Sequence, residues 1–288
     1  MGTIERRGMT GQMTGNLLQG RKGLVMGVAN DHSIAWGIAR LAAAQGAELA
    51  FTYQGEAFGR RVKPLADSVG ARHFLPCDVT DGKSLDRVFA TLAEDWGGMD
   101  FLVHAIAYSD KSELKGDYVD TTRENFLKTM EISCFSFTDL ARRARPLMRE
   151  RGGSLITLSY LGATRVMPNY NVMGVAKAAL EASVRYLASD LGRDGIRVNA
   201  ISAGPMRTLA GSAIADARLV FKWNRDHSAL KRSPELDEVG GAALYLLSDL
   251  SSAVTGEIHY VDCGFSIVGM PFARDLKGLN GTNGDAEA

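Results

Sequence analysis

Seven short apolar runs alternate along this chain with stretches whose apolar residues recur at helical spacing, and no other feature restricts the fold as tightly. The runs cover residues 23–26, 48–53, 73–76, 101–105, 154–159, 197–202 and 258–261. Helical periodicity fills the intervals at 34–45, 57–69, 83–96, 123–150, 170–191 and 236–248. Strands that alternate with crossover helices imply a parallel sheet covered on both faces. The predicted fold is therefore α/β, a doubly wound, seven-stranded parallel sheet with helices on both faces. No repeat or linker divides it. A single domain is expected over residues 18–271, with a flexible leader at 1–17 and a loose, polar, Gly/Asn-rich tail at 272–288. Such a sheet carries its ligand site at the C-terminal ends of its strands, so the informative residues are those just past each run.

Composition narrows the partners. The chain has 33 Lys+Arg and 33 Asp+Glu, a formal net charge of zero, so no general attraction draws it to nucleic acid or to an anionic membrane. No run approaches the roughly 18 apolar residues of a membrane span. Its three cysteines, Cys77, Cys134 and Cys263, are scattered without disulfide or metal-binding spacing, which suits a reducing cytoplasm. The five histidines are equally dispersed, and no metal site is expected.

Past the first run, Gly27 and a stretch of small residues lead to Ser33, Ile34 and Ala35 at the start of a helix. Such a turn lets backbone approach a pyrophosphate, and the helix N-terminus offers oriented N–H groups. Past the second run, Gln54 stands where an acidic residue usually grips the adenosine ribose. Its amide can pair with a 2′-hydroxyl, while nearby Arg60 and Arg61 leave a 2′-phosphate, and with it NADPH, open. Past the third run, Asp78 can face an adenine amino group with Val79 against the ring, or cap the next helix, or do both. His104 is expected to pack at a strand end, and Ala105, Ile106 and Ala107 form a run small enough to receive a flat ligand. Past the sixth run, Pro205 and Met206 follow a rigid Gly-Pro turn, and Thr208 can hydrogen-bond a carboxamide. Residues 209–232 read as a mobile helix or lid over an apolar substrate, with Ala210, Ala213 and Ile214 among its small and apolar positions; the lid as a whole is placed at about 205–232.

The segment 159–177 carries the chemistry. It opens at the end of a strand, with Tyr160 beside it, and closes inside a helix where Tyr170, Met173, Gly174 and Lys177 recur at helical spacing. Seven residues at about 100° each return Lys177 to the face of Tyr170, about 10 Å along the axis. A phenol there can donate to a carbonyl that becomes an oxyanion, and an ammonium can favour that charge and hold a diol.

Taken together and in order, these motifs closely resemble bacterial NADH-type enoyl-acyl carrier protein reductases, a divergent branch of the Rossmann-like short-chain dehydrogenases. They are Gly27 with Ser33-Ile34-Ala35, Thr52-Tyr53-Gln54, Cys77-Asp78-Val79, Ser159-Tyr160, Pro168 to Lys177, and Arg197 to Pro205. The resemblance runs from about Leu17 to Met270. Ordinary short-chain dehydrogenases place the tyrosine four positions before the lysine, and here that position is Met173, which has no proton to give. The longer Tyr170–Lys177 spacing is that of enoyl reductases. The resemblance implies Tyr170, Lys177 and Tyr160 as catalytic residues, and a substrate site lined by Ala107, Tyr160, Tyr170, Met173, Ala210, Ala213 and Ile214. It also implies NADH as cofactor, an enoyl substrate carried on acyl carrier protein, and a homotetramer. Arg207, Arg218, Lys222 and Arg225 are candidate contacts for the acidic carrier. Three positions depart from the family pattern. Ala105 and Ala107 replace the common Ser and Gly, and Cys263 replaces a glycine. A carbonyl reductase and a silent dinucleotide-binding module are the competing readings.

Overall fold

A computed structural model describes residues 15–209, 211 and 217–270. Its core is a seven-stranded sheet in the order β3-β2-β1-β4-β5-β6-β7. The strands are β1 Lys22–Met26, β2 Glu48–Tyr53, β3 His73–Pro76, β4 Phe101–His104, β5 Gly153–Ser159, β6 Ile196–Ala203 and β7 Ile258–Val261. Every neighbouring pair is parallel. The winding reverses between β1 and β4, which opens a crevice at their C-terminal ends, the place such sheets bind ligands.

The helices are α1 Ile34–Ala44, α2 Gly55–Ser68, α3 Gly82–Trp96, α4 Arg123–Met130, α5 Ser136–Met148, α6 Asn171–Leu191, α7 Ala217–His227 and α8 Leu236–Leu247. Alternate side chains of each strand enter opposite layers. Leu24, Met26, Leu102 and Leu155 pack with Val88 of α3, Phe137 of α5 and Leu180 of α6. Val25, Val103 and Ile156 pack with Ile38 of α1 and Val239 of α8. The period of two therefore explains why the strands are apolar on both faces. Helices α1 and α8 approach closely because α8 carries a glycine at the crossing. A Cβ on Gly240 would lie 2.5 Å from Leu41 Cδ1 and 3.1 Å from the Gly37 carbonyl oxygen.

The structure modifies three expectations. The stretch 123–150 is not one uniform helix: a π-helical turn, Glu131–Phe135, joins α4 to α5. Buried Ser133 in that turn accepts from the Tyr108 amide and donates to the Tyr108 carbonyl, both at 2.9 Å, so the bulge ties this layer to the loop after β4. Asp78 is not the cap of α3. Asp81 is the N-cap, and its carboxylate accepts from the Lys83 amide. At the N-terminus the chain is already hydrogen-bonded at Gly15, whose amide donates to Ala44 O at 3.1 Å, and Leu18 is fully buried. Residues 1–14 and 271–288 lie outside the described residues, as do Ala210, Ala213 and Ile214.

His104 ends β4 with no solvent exposure. Its ring nitrogens meet Thr157 Oγ1 at 2.7 Å and Ser136 Oγ at 2.9 Å. Burial, aided by the Lys177 charge, pushes its pKa down from 6.5 to about 3. The folded state thus holds a neutral imidazole that the unfolded chain protonates more readily. That contribution to stability is complete above pH 6.5 and is lost as the pH falls toward about 3. Melting temperatures across pH 4–7 should show this acid sensitivity, and His104→Gln should have a lower melting temperature at pH 7 but a shallower acid dependence.

Gly27 offers a second test. Its φ is 99°, and a Cβ there would stand 2.1 Å from the Ala105 carbonyl oxygen. Gly27→Ala combines left-handed strain with overpacking against backbone, an expected loss of roughly 2–4 kcal/mol in denaturant unfolding.

Candidate active site

Six strand ends converge on the crevice. Gly27 lets the backbone after β1 close onto the loop after β4, where the Ala105 amide donates to Met26 O at 3.0 Å. Ser33 precedes α1 as its N-cap residue and turns its side chain back into the loop. Its Oγ accepts from the Ala29 and Asn30 amides at 3.0 and 3.1 Å and donates to Asn30 Oδ1 at 3.2 Å. Ser33 thereby fixes the turn and leaves the first amides of α1, from Ile34 on, without side-chain caps.

The ends of β2 and β3 are joined by two of the expected cofactor residues. Gln54 Nε2 donates to Asp78 Oδ2 at 2.9 Å, and Asp78 Oδ1 accepts from the Thr80 amide and hydroxyl. Burial opposes the Asp78 charge, yet the Thr80 and Gln54 hydrogen bonds outweigh it and hold the carboxyl below its ordinary range. Val79 and Ile106 are half-buried against the core layer of α3 and α5, and Ala107 is exposed. Arg60 lies 4.0 Å from Glu56 on exposed α2 and is not drawn toward Gln54 by any contact among the described residues. At the end of β6, Pro205 is half-buried and Met206 joins the α1–α8 layer. Thr208 Oγ1 accepts from the Gly211 amide at 2.9 Å, leaving its hydroxyl hydrogen to donate elsewhere.

Tyr160, Tyr170 and Met173 come together. With Leu114 and Met167 they form a small apolar cluster apart from both main cores. The Tyr160 and Tyr170 rings meet edge to face, with centroids 5.0 Å apart and planes at 73°. Tyr170 is held against the backbone of the turn after β5, because Gly162 leaves room for it. A Cβ on Gly162 would lie 2.4 Å from Tyr170 Cδ1. Two left-handed asparagines flank Tyr170, Asn169 with φ 57° and Asn171 with φ 38°. Asn171 Nδ2 donates to Glu113 O at 3.1 Å and to Gly116 O at 3.2 Å, fixing the start of α6. Asn-Tyr-Asn was the available signal, since asparagine tolerates this conformation better than most residues. Met173 sits in the apolar cluster, where Ser133 Oγ approaches its sulfur at 3.7 Å.

Lys177 lies further along α6, only 6% exposed, and its Nζ donates to Leu158 O of β5 at 2.7 Å. Burial pushes its pKa down to about 8, against the pull of Cys134 and Glu181. Burial raises the Tyr160 phenol to about 12 and raises the Tyr170 phenol further, so both remain protonated at neutral pH. Reading the sequence missed the partner of this group. Glu181, one turn past Lys177, is 5% exposed and accepts from Ser159 Oγ at 2.5 Å. Its i+4 spacing from Lys177 was the signal.

Comparison with known proteins gives the family. The family described as enoyl-(acyl carrier protein) reductase matches residues 27–266. A Rhizobium meliloti protein named NADH enoyl-[acyl-carrier-protein] reductase 2 is 64% identical over 91% of this chain and 97% of its own length. A Rickettsia typhi NADH enoyl-[acyl-carrier-protein] reductase is 56% identical over 89% of this chain and 98% of its own. The crystal structure of the Anaplasma phagocytophilum enoyl-(acyl-carrier-protein) reductase in complex with NAD superposes with a TM-score of 0.87 at 60% identity. It covers 90% of this chain and 98% of that one. A doubly wound sheet, a tyrosine–lysine pair in the longer register and relatives matched over nearly their whole length lead to one conclusion: the chain belongs to the enoyl-(acyl carrier protein) reductase family.

Proposed function

We propose that the chain reduces the trans-2 double bond of an enoyl thioester carried on acyl carrier protein, with NADH as reductant, as the closing reduction of a fatty acid elongation cycle. One observation carries the reading: Tyr170 at the N-cap of α6 and Lys177 within it are both buried, and the intervening Met173 occupies the position where a carbonyl reductase keeps its proton donor. The crevice fits a dinucleotide, since the Gly27 backbone admits no side chain beside Ala105 and the first amides of α1 face a turn shaped by Ser33. Gly27, Ser33, Ile34, Gln54, Asp78, Val79, Ala105, Ile106, Pro205, Met206 and Thr208 would hold it there. When bound, NADH supplies a hydride to the β-carbon of the enoyl group.

The protein's own residues manage the charge that follows. Electron density moves to the thioester oxygen, and the Tyr170 hydroxyl donates to that oxygen as the enolate develops. Its raised pKa keeps the proton on the phenol, which suits a donor that stabilises rather than ionises. A proton from solvent at the α-carbon balances the hydride and completes the saturated product. Lys177 spends one hydrogen on Leu158 O and keeps two for the nicotinamide-ribose hydroxyls, while its charge favours the oxyanion. Tyr160, edge-on to Tyr170, is a second contact for the substrate oxygen. Ala107 and Met173 line the apolar side.

Arg207 and Arg218 serve as carrier contacts, with Lys222 and Arg225 sharing Asp226 along α7. A homotetramer is supported by the apolar face of α4 and the π turn, where Leu127 and Phe135 are exposed. A cytoplasmic setting is supported by three unpaired thiols, and among the described residues no helix is long and apolar enough to cross a membrane.

Absorbance at 340 nm tests the reaction directly. NADH should be consumed with crotonyl-thioester and not with a 3-ketoacyl-thioester; the reverse pattern would overturn the reading. Lys177→Ala should lose at least about 10²-fold in turnover, since removing one such donor commonly costs that much. The active form is the ammonium, so kcat/KM should hold below pH 8 and fall as the pH rises above the Lys177 value of about 8.

A further inference from the structure

Glu181 takes no part in the chemistry described above, yet it is a carboxyl only 5% exposed inside α6. It sits one helical turn past Lys177, on the face that α6 presents to β5. Its hydrogen bond to Ser159 Oγ, at 2.5 Å, reaches the residue between Leu158, whose carbonyl holds Lys177, and Tyr160, which packs on Tyr170. Two ties thus join the same strand end to the same helix, one through the ammonium and one through the carboxyl. We propose that Glu181 is a positioning residue that, through Ser159, sets the end of β5 against α6 and holds the charge of the Lys177 ammonium in the closed site. The inference rests on the reductase reading of that site.

Glu181 is the carboxyl that faces Lys177 from one turn further along α6. Lys177 is faced by Cys134 from the π turn, by His104 from β4 and by Glu181 from its own helix. Cys134 is a buried thiol whose pKa burial raises, so it carries no negative charge at neutral pH. His104 is neutral there as well. Glu181 in turn is faced by Ser159 from β5, by Lys177 and exposed Arg185 along α6, and by the Tyr170 phenol. Burial raises its carboxyl above the ordinary range, and the Ser159 hydrogen bond and the two cations oppose that rise.

Two variants separate the tie from the charge. Glu181→Gln keeps an acceptor for Ser159 but removes the charge. Losing an opposite charge at i+4 spacing should move the alkaline limb of kcat/KM down by about one pH unit, with the loss growing above pH 7. Ser159→Ala keeps the carboxyl but cuts the tie. Its kcat should fall about 3–10-fold with the alkaline limb in place, in line with the usual worth of one intramolecular hydrogen bond. NADH affinity of both variants, followed by fluorescence across pH 6–9, needs no enoyl substrate. For Glu181→Gln it should weaken at lower pH than in the wild type. This readout persists if the wild-type protein proves inactive on enoyl thioesters, which would count against the reductase reading alone. A Glu181→Gln pH profile superimposable on the wild type, in both turnover and NADH affinity, would overturn the charge role. Wild-type kcat in Ser159→Ala would overturn the positioning role, and it decides the matter alone if Glu181→Gln fails to fold.

Discussion

The site depends on one buried hydrogen bond, from the Lys177 ammonium to the Leu158 carbonyl at 2.7 Å. A lysine with 6% exposure is costly to keep charged, and the depressed pKa shows that cost. The structure offsets it with a backbone acceptor on one side and a carboxyl one turn away on the other. The same bond joins α6 to the end of β5, so the helix that Tyr170 caps and that carries Met173 is placed by a buried ammonium. Position and electrostatics share one anchor.

The start of α6 shows how that anchor becomes a tyrosine register. A helix beginning at Asn171 puts Met173 within its first turn and Tyr170 at the N-cap, outside the regular ladder. Tyr170 is therefore positioned less by the helix than by what surrounds it. Asn169 and Asn171 bend the chain through left-handed conformations, the Asn171 amide grips the loop at Glu113 and Gly116, and Gly162 vacates the space the ring fills. Because Gly174 also brings α6 close to Gly162 O, 2.9 Å from where its Cβ would be, the ring is confined from two sides. A tyrosine one turn later, at position 173, would project instead toward Ser133 and the π turn. The longer spacing thus moves the hydroxyl to a different part of the crevice.

Strands and helices were legible because their signals are local. Apolar runs such as 48–53 and 258–261 coincide with β2 and β7, and helical periodicity located α8 to within a residue. The π turn was not legible, since one extra residue per turn leaves the apolar pattern of 123–150 nearly unchanged while shifting Ser133 inward. Asp78 and Asp81 are both plausible caps by residue type, and the choice is made in space by Gln54 and Thr80, which engage Asp78. Glu181 and Ser159 lie 22 positions apart on different elements, so their contact exists only once β5 and α6 have packed. What a sequence conceals here is pairing across elements.

The Gln54–Asp78 contact bears on which dinucleotide the crevice prefers. An amide can present either a donor or an acceptor to a ribose, and the sequence left that choice open together with Arg60 and Arg61. In the folded chain one N–H of Gln54 is engaged by Asp78, which leaves the second N–H and Oε1 to meet a ribose. An acceptor oxygen pairs with a 2′-hydroxyl and opposes the oxygens of a 2′-phosphate. Asp78 adds a negative charge beside it, held ionised by Thr80 and Gln54. Arg60 is set 4.0 Å from Glu56 on the exposed side of α2, a pair too solvated to redirect much charge. The local field therefore favours the unphosphorylated ribose. The acidic residue usual at the Gln54 position is absent, and Asp78, past the neighbouring strand, supplies a carboxylate beside the amide instead.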